Sequence, residues 1–476
     1  MSLPADAFAA DPCAHPWFFC GIGGSGMLPL ALILHARGAT IAGSDRSRDQ
    51  GRSTEKFAWL ESLGITLHPQ DGSGVVSADQ ILVASAAIED TVPEVVAARA
   101  LRTARLSRAD LLAALFNRAA QPIAVAGTSG KSTVTGMIGW ILTACHRDPT
   151  IMNGAVMKNF VAPDAPFASA RVGAGDAFVA EVDESDGSIA LYTPRIGVLG
   201  NVSLDHKSLD ELRVLFGDFL ARCDAVAINA DDPESMALAP RAQRLLPFGL
   251  GAQAVIAADP ASIHEGAATI GATVIDRRSG ATHMLALQIP GRHNLMNALA
   301  ALAAADLAGV PLGDAVAALA QFKGLSRRFD IVGTSAGGIT VIDDFGHNPE
   351  KIAATLATLR AHPGPIIALF QPHGYGPLRQ MGAELASVLA TRLGADDAVI
   401  LTDPVYFGGT VDRTVGSERV VALINAAGGH ARHIAVRDDA ADAIVAMAQP
   451  GSRIVVMGAR DDTLSTFAAD LLHRLG

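Results

Sequence analysis

The sequence predicts an α/β protein of three domains. These are an N-terminal Rossmann-like domain (1–118), a central P-loop ATPase-like domain on a parallel sheet (119–324) and a C-terminal Rossmann-like domain (325–476). Three observations predict it. Short apolar runs alternate with helix-like stretches almost to the end of the chain, the pattern of parallel strands covered by helices. Two of those runs break into glycine turns, at Gly21–Met27 and Gly127–Thr133, and such turns sit where parallel strands feed helices. The chain has 476 residues, more than one core accommodates at about 100–200 residues per domain.

Composition narrows the class. Half of the residues are hydrophobic and 18% are charged, so burial is ample and the chain is not of the disordered type. The net charge is −11 and no basic cluster occurs, which argues against nucleic acid or an anionic membrane as partner. Cys13, Cys20, Cys145 and Cys223 lack C-x-x-C spacing, so neither a zinc site nor a disulfide framework is expected. Met1–Pro16 has no basic stretch followed by a long apolar one, unlike a secretory signal. No apolar run reaches the ~18 residues of a membrane span. The expectation is a cytoplasmic protein, monomeric or homodimeric.

The first domain opens with the strand-like Trp17–Cys20, turns through Gly21-Ile22-Gly23-Gly24-Ser25-Gly26-Met27 and continues as an apolar helix to about Arg37. Thr40–Gly43 reads as the next strand, ending at Ser44-Asp45, and Gln80–Ala84 as another, leading to Ser85. Gly21, Gly23 and Gly26 fit G-x-G-x-x-G, with Asp45 placed 19 residues beyond Gly26. That spacing fits a dinucleotide, but a pyrophosphate of any nucleotide, a UDP-sugar included, sits equally on such a helix N-terminus.

The central domain carries the more specific motif. Pro122–Ala126 reads as a strand and is followed by Gly127-Thr128-Ser129-Gly130-Lys131-Ser132-Thr133. Glycines let backbone N–H groups approach phosphate oxygens, Lys131 can bridge the terminal phosphates, and Ser132 or Thr133 can ligate Mg²⁺. Val125 stands where the strict pattern has glycine, so this is a variant loop, and ATP is its expected ligand. The strand-like Ala177–Ala180 runs into Glu181-Val182-Asp183-Glu184-Ser185-Asp186, where a carboxylate can reach a phosphate-bound cation. Arg195–Leu199 stops similarly at Asn201-Val202-Ser203-Leu204-Asp205-His206. Helices are expected around Asn297–Asp306 and Gly313–Gln321. Two phosphate sites in one chain favour an ATP-driven reaction on a phosphate-bearing substrate. In the third domain Ile366–Phe370, Ala398–Leu401 and Arg453–Met457 read as strands.

Taken in order, these motifs resemble the Mur ligase family, and within it the alanine-adding branch. G-T-S-G-K-S-T stands where the family has G-T-H-G-K-T-T, E-V-D-E-S-D resembles E-A-D-E-S-D, and N-V-S-L-D-H resembles N-I-E-x-D-H. Gly291-Arg292-His293-Asn294-Leu295-Met296-Asn297 matches G-R-H-N-x-x-N, and Arg327-Arg328-Phe329, Asp343–Pro349 and Phe370-Gln371-Pro372-His373 complete the series. The resemblance implies an ATP-dependent amide ligase of peptidoglycan precursor synthesis, joining L-alanine or another amine to UDP-N-acetylmuramate or a similar UDP-sugar acid through an acyl phosphate. It implies Gly21–Met27, Asp45 and Ser85 for the UDP-substrate. It implies Gly127–Thr133, His293, Asn294, Asn297, Arg328 and Asp344 for ATP, with Lys131, His206, Arg328 and Asp344 in catalysis. Ser132, Thr133, Glu181 and His206 would hold Mg²⁺, or Mn²⁺ in its place, and His347, His373 and Arg379 would face the amine.

The chain also departs from the family's pattern. Ser129 replaces the loop histidine, and the segment Lys207–Leu212 is shorter. Phe219-Leu220-Ala221-Arg222 lacks the lysine that many relatives carbamylate, as does the alanine-adding branch. Phe345 stands where tyrosine is usual, and Gly374-Tyr375-Gly376-Pro377 replaces an Arg-Tyr-Thr-Arg stretch. Losing both guanidiniums removes a bidentate grip on a carboxylate, with Arg379 as a substitute. A murein-tripeptide recycling ligase, hinted at by Gly154–Phe160, is therefore an alternative, as is a ligase acting outside peptidoglycan. An NAD-dependent oxidoreductase resting on the first glycine turn is more remote.

Overall fold

The computed structural model describes residues 5–85, 88–203, 207–406 and 413–476. Among these, three sheets carry the chain, one for each expected domain. The first orders its strands Thr66–His68, Ile41–Ser44, Trp17–Cys20, Ile81–Ala84 and Ala104–Ser107, all parallel. Trp17, Phe18 and Phe19 are buried on both faces of the central strand, as expected of a parallel sheet with helices on either side. The helix Leu28–Ala36 that follows the glycine turn buries Leu30, Ala31, Ile33 and Leu34.

The second sheet is parallel through Ile256–Ala258, Leu245–Gly249, Ala225–Asn229, Ile196–Leu199, Gln121–Ala126, Ala177–Glu181 and Thr150–Met152. Gln121–Ala126 lies between Ile196–Leu199 and Ala177–Glu181, so the phosphate loop, the acidic run and the Asn201 turn leave adjacent strands at one edge. Ser208 and Glu211 form a reciprocal cap for the helix Leu209–Arg222, a sequence signal of a helix start. The first two sheets belong to one compact unit and share a core. Phe116, on the helix Arg108–Asn117, packs against Phe178 and Tyr192 at ring-centroid distances of 5.6 and 5.3 Å.

A second compact unit holds Leu325–Gly476 with Glu265–Ile270 and Ile289–His293. Its sheet orders Asp330–Thr334, Thr340–Asp344, Arg453–Gly458, Ile366–Gln371, Ala398–Leu401 and Ala431–His433, antiparallel only at the first pair. One face packs on Leu356, Leu378, Leu385 and Leu389, and the other on Ile444, Leu464, Phe467 and Leu471. The helices expected at Asn297 and Gly313 run from Arg292 to Leu307 and from Leu312 to Leu319. No described helix is long and apolar enough to cross a membrane.

Candidate active site

The phosphate loop folds as its residues dictate. Gly127 (φ 128°) and Gly130 (φ 84°) take angles that side chains with a β-carbon rarely adopt, and Gly130 caps the helix Lys131–Ala144. Asn201 braces the loop from the neighbouring strand. Its Oδ1 accepts from Thr128 Oγ1 at 2.7 Å and Ser129 N at 2.9 Å, and its Nδ2 donates to Ser129 O at 3.2 Å. Lys131 Nζ donates to Gly127 O and to Glu184 Oε2, both at 2.7 Å. This ion pair is well shielded, with Glu184 only 5% exposed at its side chain.

Next to it, Ser132 Oγ donates to Glu181 Oε2 at 2.8 Å. A β-carbon at Gly154 would collide with Glu181 Oε1 and stand 3.7 Å from Ser132 Oγ. The glycine thus keeps open a cradle lined by a hydroxyl and a carboxylate, and Thr133, the next residue of the helix, is buried. Hard oxygen donors of this kind fit Mg²⁺. Asn153 Nδ2 fixes Ser132 by donating to its carbonyl at 2.9 Å. Asn297 reaches the same loop, because a β-carbon at Gly130 would lie 2.5 Å from Asn297 Oδ1. Asn297 Nδ2 donates to Asn294 Oδ1 at 3.2 Å. His206 lies outside the described residues.

At the first glycine turn, Asp45 supports the backbone. Its Oδ2 accepts from Gly23 N at 2.9 Å and its Oδ1 from Ser47 N at 2.8 Å. Gly21 N and Ile22 N donate to Ser44 O, and Lys56 Nζ donates to Gly23 O at 3.2 Å. Gly24 and Ser25 are exposed, whereas Ile22 and Met27 are buried. Ser85, at the end of the adjacent strand, is exposed.

In the second unit, Asp344 organises a strained entry to the sheet. Arg327 (φ 62°) and Phe329 (φ 48°) are left-handed, at a cost of about 1–2 kcal/mol each. Asp344 Oδ2 accepts from Phe329 N at 2.8 Å, while Oδ1 accepts from Gly346 N at 2.8 Å and Thr355 Oγ1 at 3.0 Å. Phe345 N donates to Arg327 O at 2.8 Å. Arg327 Nη2 donates to Gly458 O at 2.6 Å, and its Nε lies 3.6 Å from Asp343. Burial pushes the Asp343 carboxyl up to about 6, against the pull of Arg327. The Arg328 guanidinium lies 4.7 Å from the centre of the Phe345 ring. His293, also in this unit, is exposed.

His347 and His373 meet edge to face at 5.0 Å. His347 Nδ1 lies 2.9 Å from Phe345 O, which assigns the proton to Nδ1 and leaves the Nε2 lone pair available. Burial, with Lys351 nearby, pulls the imidazole down to about 3, so it is neutral at physiological pH. A cleft beside the pair is lined by Phe370, Pro372, Pro377, Leu378, Met381 and Leu385. Arg379 is exposed and is not part of that lining. It sits about 100° round the helix from Leu378, so the helix turns Leu378, Met381 and Leu385 toward the cleft instead.

The structure thus brings together Gly127–Thr133, Glu181, Asn294 and Asn297 in the first unit, and Arg328, Asp344, His347 and His373 in the second. Glu184, Asn201 and Arg327 hold these groups and were not singled out from the sequence. Each acts over dozens of residues of chain, although all three lie inside the motifs quoted above.

Residues 18–120 match the Mur ligase family catalytic domain, 125–305 the Mur ligase middle domain and 327–460 the Mur ligase glutamate ligase domain. A UDP-N-acetylmuramate–L-alanine ligase of Sorangium cellulosum is 36% identical over 93% of both chains. One of Acidithiobacillus ferrooxidans is 39% identical over 82% of both. The crystal structure of UDP-N-acetylmuramate-alanine ligase MurC from Thermotoga maritima superposes with a TM-score of 0.78 at 25% identity, covering 97% of this chain and 99% of that one. A murein peptide ligase from Psychrobacter arcticus shares the fold, with a TM-score of 0.69 at 24% identity over 97% and 99% of the two chains. With three family matches covering most of its length, and relatives of 36–39% identity over most of both chains, the chain belongs to the Mur ligase family.

Proposed function

We propose that this ATP-dependent acid–amino-acid ligase joins L-alanine to the carboxylate of UDP-N-acetylmuramate in peptidoglycan precursor synthesis, releasing ADP and phosphate. The observation that carries the reading is the loop Gly127–Thr133. There a shielded lysine and a hydroxyl–carboxylate cradle stand side by side at the ends of adjacent strands.

The residues act as follows. Lys131 exchanges Glu184 for the β- and γ-phosphates of ATP. Ser132, Thr133 and Glu181 would hold Mg²⁺, or Mn²⁺ on the same oxygen donors, and the family motif adds His206 to that set. When bound, the cation supplies charge neutralisation on the phosphates. Gly21–Met27 and Ser85 receive the nucleotide-sugar, with Asp45 keeping the turn in shape. Asn294, Asn297 and His293 hold the nucleotide. By its place in the family motif, Arg328 is assigned to the transferring phosphate, and Asp344 fixes the backbone next to it through Phe329 N. Attack of the substrate carboxylate on the γ-phosphate forms an acyl phosphate and releases ADP. The amine then displaces phosphate to give the amide, with His347 Nε2 as an acceptor for an amine N–H.

Omission experiments test the reading: phosphate release must require ATP, a divalent cation, UDP-N-acetylmuramic acid and an amino acid together. Release independent of the nucleotide-sugar would refute it. One observation favours a second reading, in which the same ATP chemistry serves another amine or a peptide. No arginine lines the cleft beside His347 and His373, and Arg379 lies off its face. A panel of amino acids and the murein tripeptide separates the two.

A further inference from the structure

Arg108 occupies a position that the ligase chemistry above leaves without a task. It begins the helix Arg108–Asn117, whose first turn is capped by Ser107. Its side chain lies directly on the first glycine turn. A β-carbon at Gly26 would stand 2.9 Å from Arg108 Cδ and 3.4 Å from Nε and Nη1. Only glycine at position 26 gives the guanidinium this seat, beside the N-terminus of the helix Leu28–Ala36. A cation there meets an unfavourable helix dipole, unless an anion shares the place.

The present partner of Arg108 is a loose one. Arg108 Nη2 lies 3.4 Å from Asp186 Oδ2, and the two side chains are 24% and 34% exposed. A tight charge-assisted contact is closer, at about 2.7–2.9 Å. Asp186 has its own structural task, since its Oδ1 accepts from Ser188 N at 2.9 Å. The base of the arginine is nonetheless fixed, because Phe116 on the same helix is packed against Phe178 and Tyr192.

We propose that Arg108 is a pyrophosphate-binding residue of the nucleotide-sugar site, held over the glycine turn by Asp186 until the ligand arrives. The assignment rests on the reading that this turn receives a UDP-sugar acid. The guanidinium exchanges one carboxylate oxygen for phosphate oxygens, which its planar fork fits in bidentate fashion. The exchange is local and needs only side-chain rotation.

The test is calorimetric titration of UDP-N-acetylmuramic acid into the whole protein and into R108Q, R108K and D186N, with thermal melting of each. Asparagine at 186 retains an oxygen for Ser188 N, so that variant keeps its turn. Arg108 as a phosphate ligand predicts about 10–100-fold weaker binding in R108Q, in line with loss of a hydrogen bond to a charged group, and partial recovery in R108K. It predicts equal or tighter binding in D186N, because that change frees the guanidinium. ATP titration should be the same in all four. Equal weakening in R108Q and D186N would mean that the arginine merely ties two segments together, and overturns the assignment. So does wild-type affinity in R108Q. If the wild-type protein itself does not bind the nucleotide-sugar, the reading of the turn falls and the assignment with it.

Discussion

Lys131 shows how much of a site is held by groups that a motif does not name. Its ammonium is shared between the Gly127 carbonyl and Glu184, and Glu184 is almost fully enclosed. Removing the lysine therefore does two separable things. K131A should lower turnover by roughly 10²-fold or more, the scale of losing a charge-stabilising group. It should also lose about 1–3 kcal/mol of stability, because a buried carboxylate is left without its donor. Adding E184Q to K131A should restore most of that stability and none of the turnover, as chemical unfolding and phosphate release would show. Asp45 makes a similar point about reading carboxylates. Its place beyond the glycine turn reads as part of a nucleotide site, whereas its oxygens accept from Gly23 N and Ser47 N. D45A should weaken nucleotide-sugar binding by loosening the turn, and D45N, which keeps one acceptor, should lie between D45A and wild type. Wild-type affinity in D45A would contradict that bracing role. At His347 the sign follows from burial. The folded imidazole titrates near 3 and the unfolded one near 6.5. The unfolded chain therefore binds the extra proton in that window, and the stability present above about 6.5 is lost as pH falls toward 3. Relative to H347Q, the wild type should lose at most about 1.4 kcal/mol per pH unit below 6.5. A pH-independent difference between the two would contradict it.

At the scale of elements, the strands named from the sequence were legible because parallel strands are continuous apolar runs that end in glycine or acidic residues. The phosphate loop was legible for the same reason, as its backbone demands are local. Gly130 is the sharpest case: a left-handed angle and a close approach by Asn297 coincide there. G130A should therefore destabilise the fold by about 1–3 kcal/mol and weaken ATP binding, measured by thermal melting and nucleotide titration. An unchanged melting temperature would contradict the packing described. What was not legible is long-range. Asn201 braces a loop 72 residues away, and Asp344 fixes Phe329 across a turn of the sheet. Neither leaves a periodic trace. The start of the helix at Arg292 was also hidden, since the alanine-rich pattern that marks it begins only near Asn297. The departure at Gly374–Pro377 was legible as missing arginines, but not the direction in which Arg379 leaves the helix. That follows from which face packs on the sheet.

For the whole molecule, three sheets correspond to three matched segments, and their order along the chain follows the motifs read from the sequence. The first two sheets share one core and one compact unit, which the spacing of motifs does not reveal. Phe116 lies before the expected boundary at 118 and packs on Phe178 and Tyr192 beyond it. This continuity places the glycine turn, the acidic run and the phosphate loop in one compact unit with a shared core. If the proposed reaction holds, ATP cleavage depends on both the sugar acid and the amine. The most direct measurement is phosphate release from ATP and Mg²⁺ with UDP-N-acetylmuramic acid, in the presence and absence of L-alanine. Release should require both substrates and disappear in K131A. Release that ignores the sugar acid, or survives in K131A, would contradict the proposed reaction.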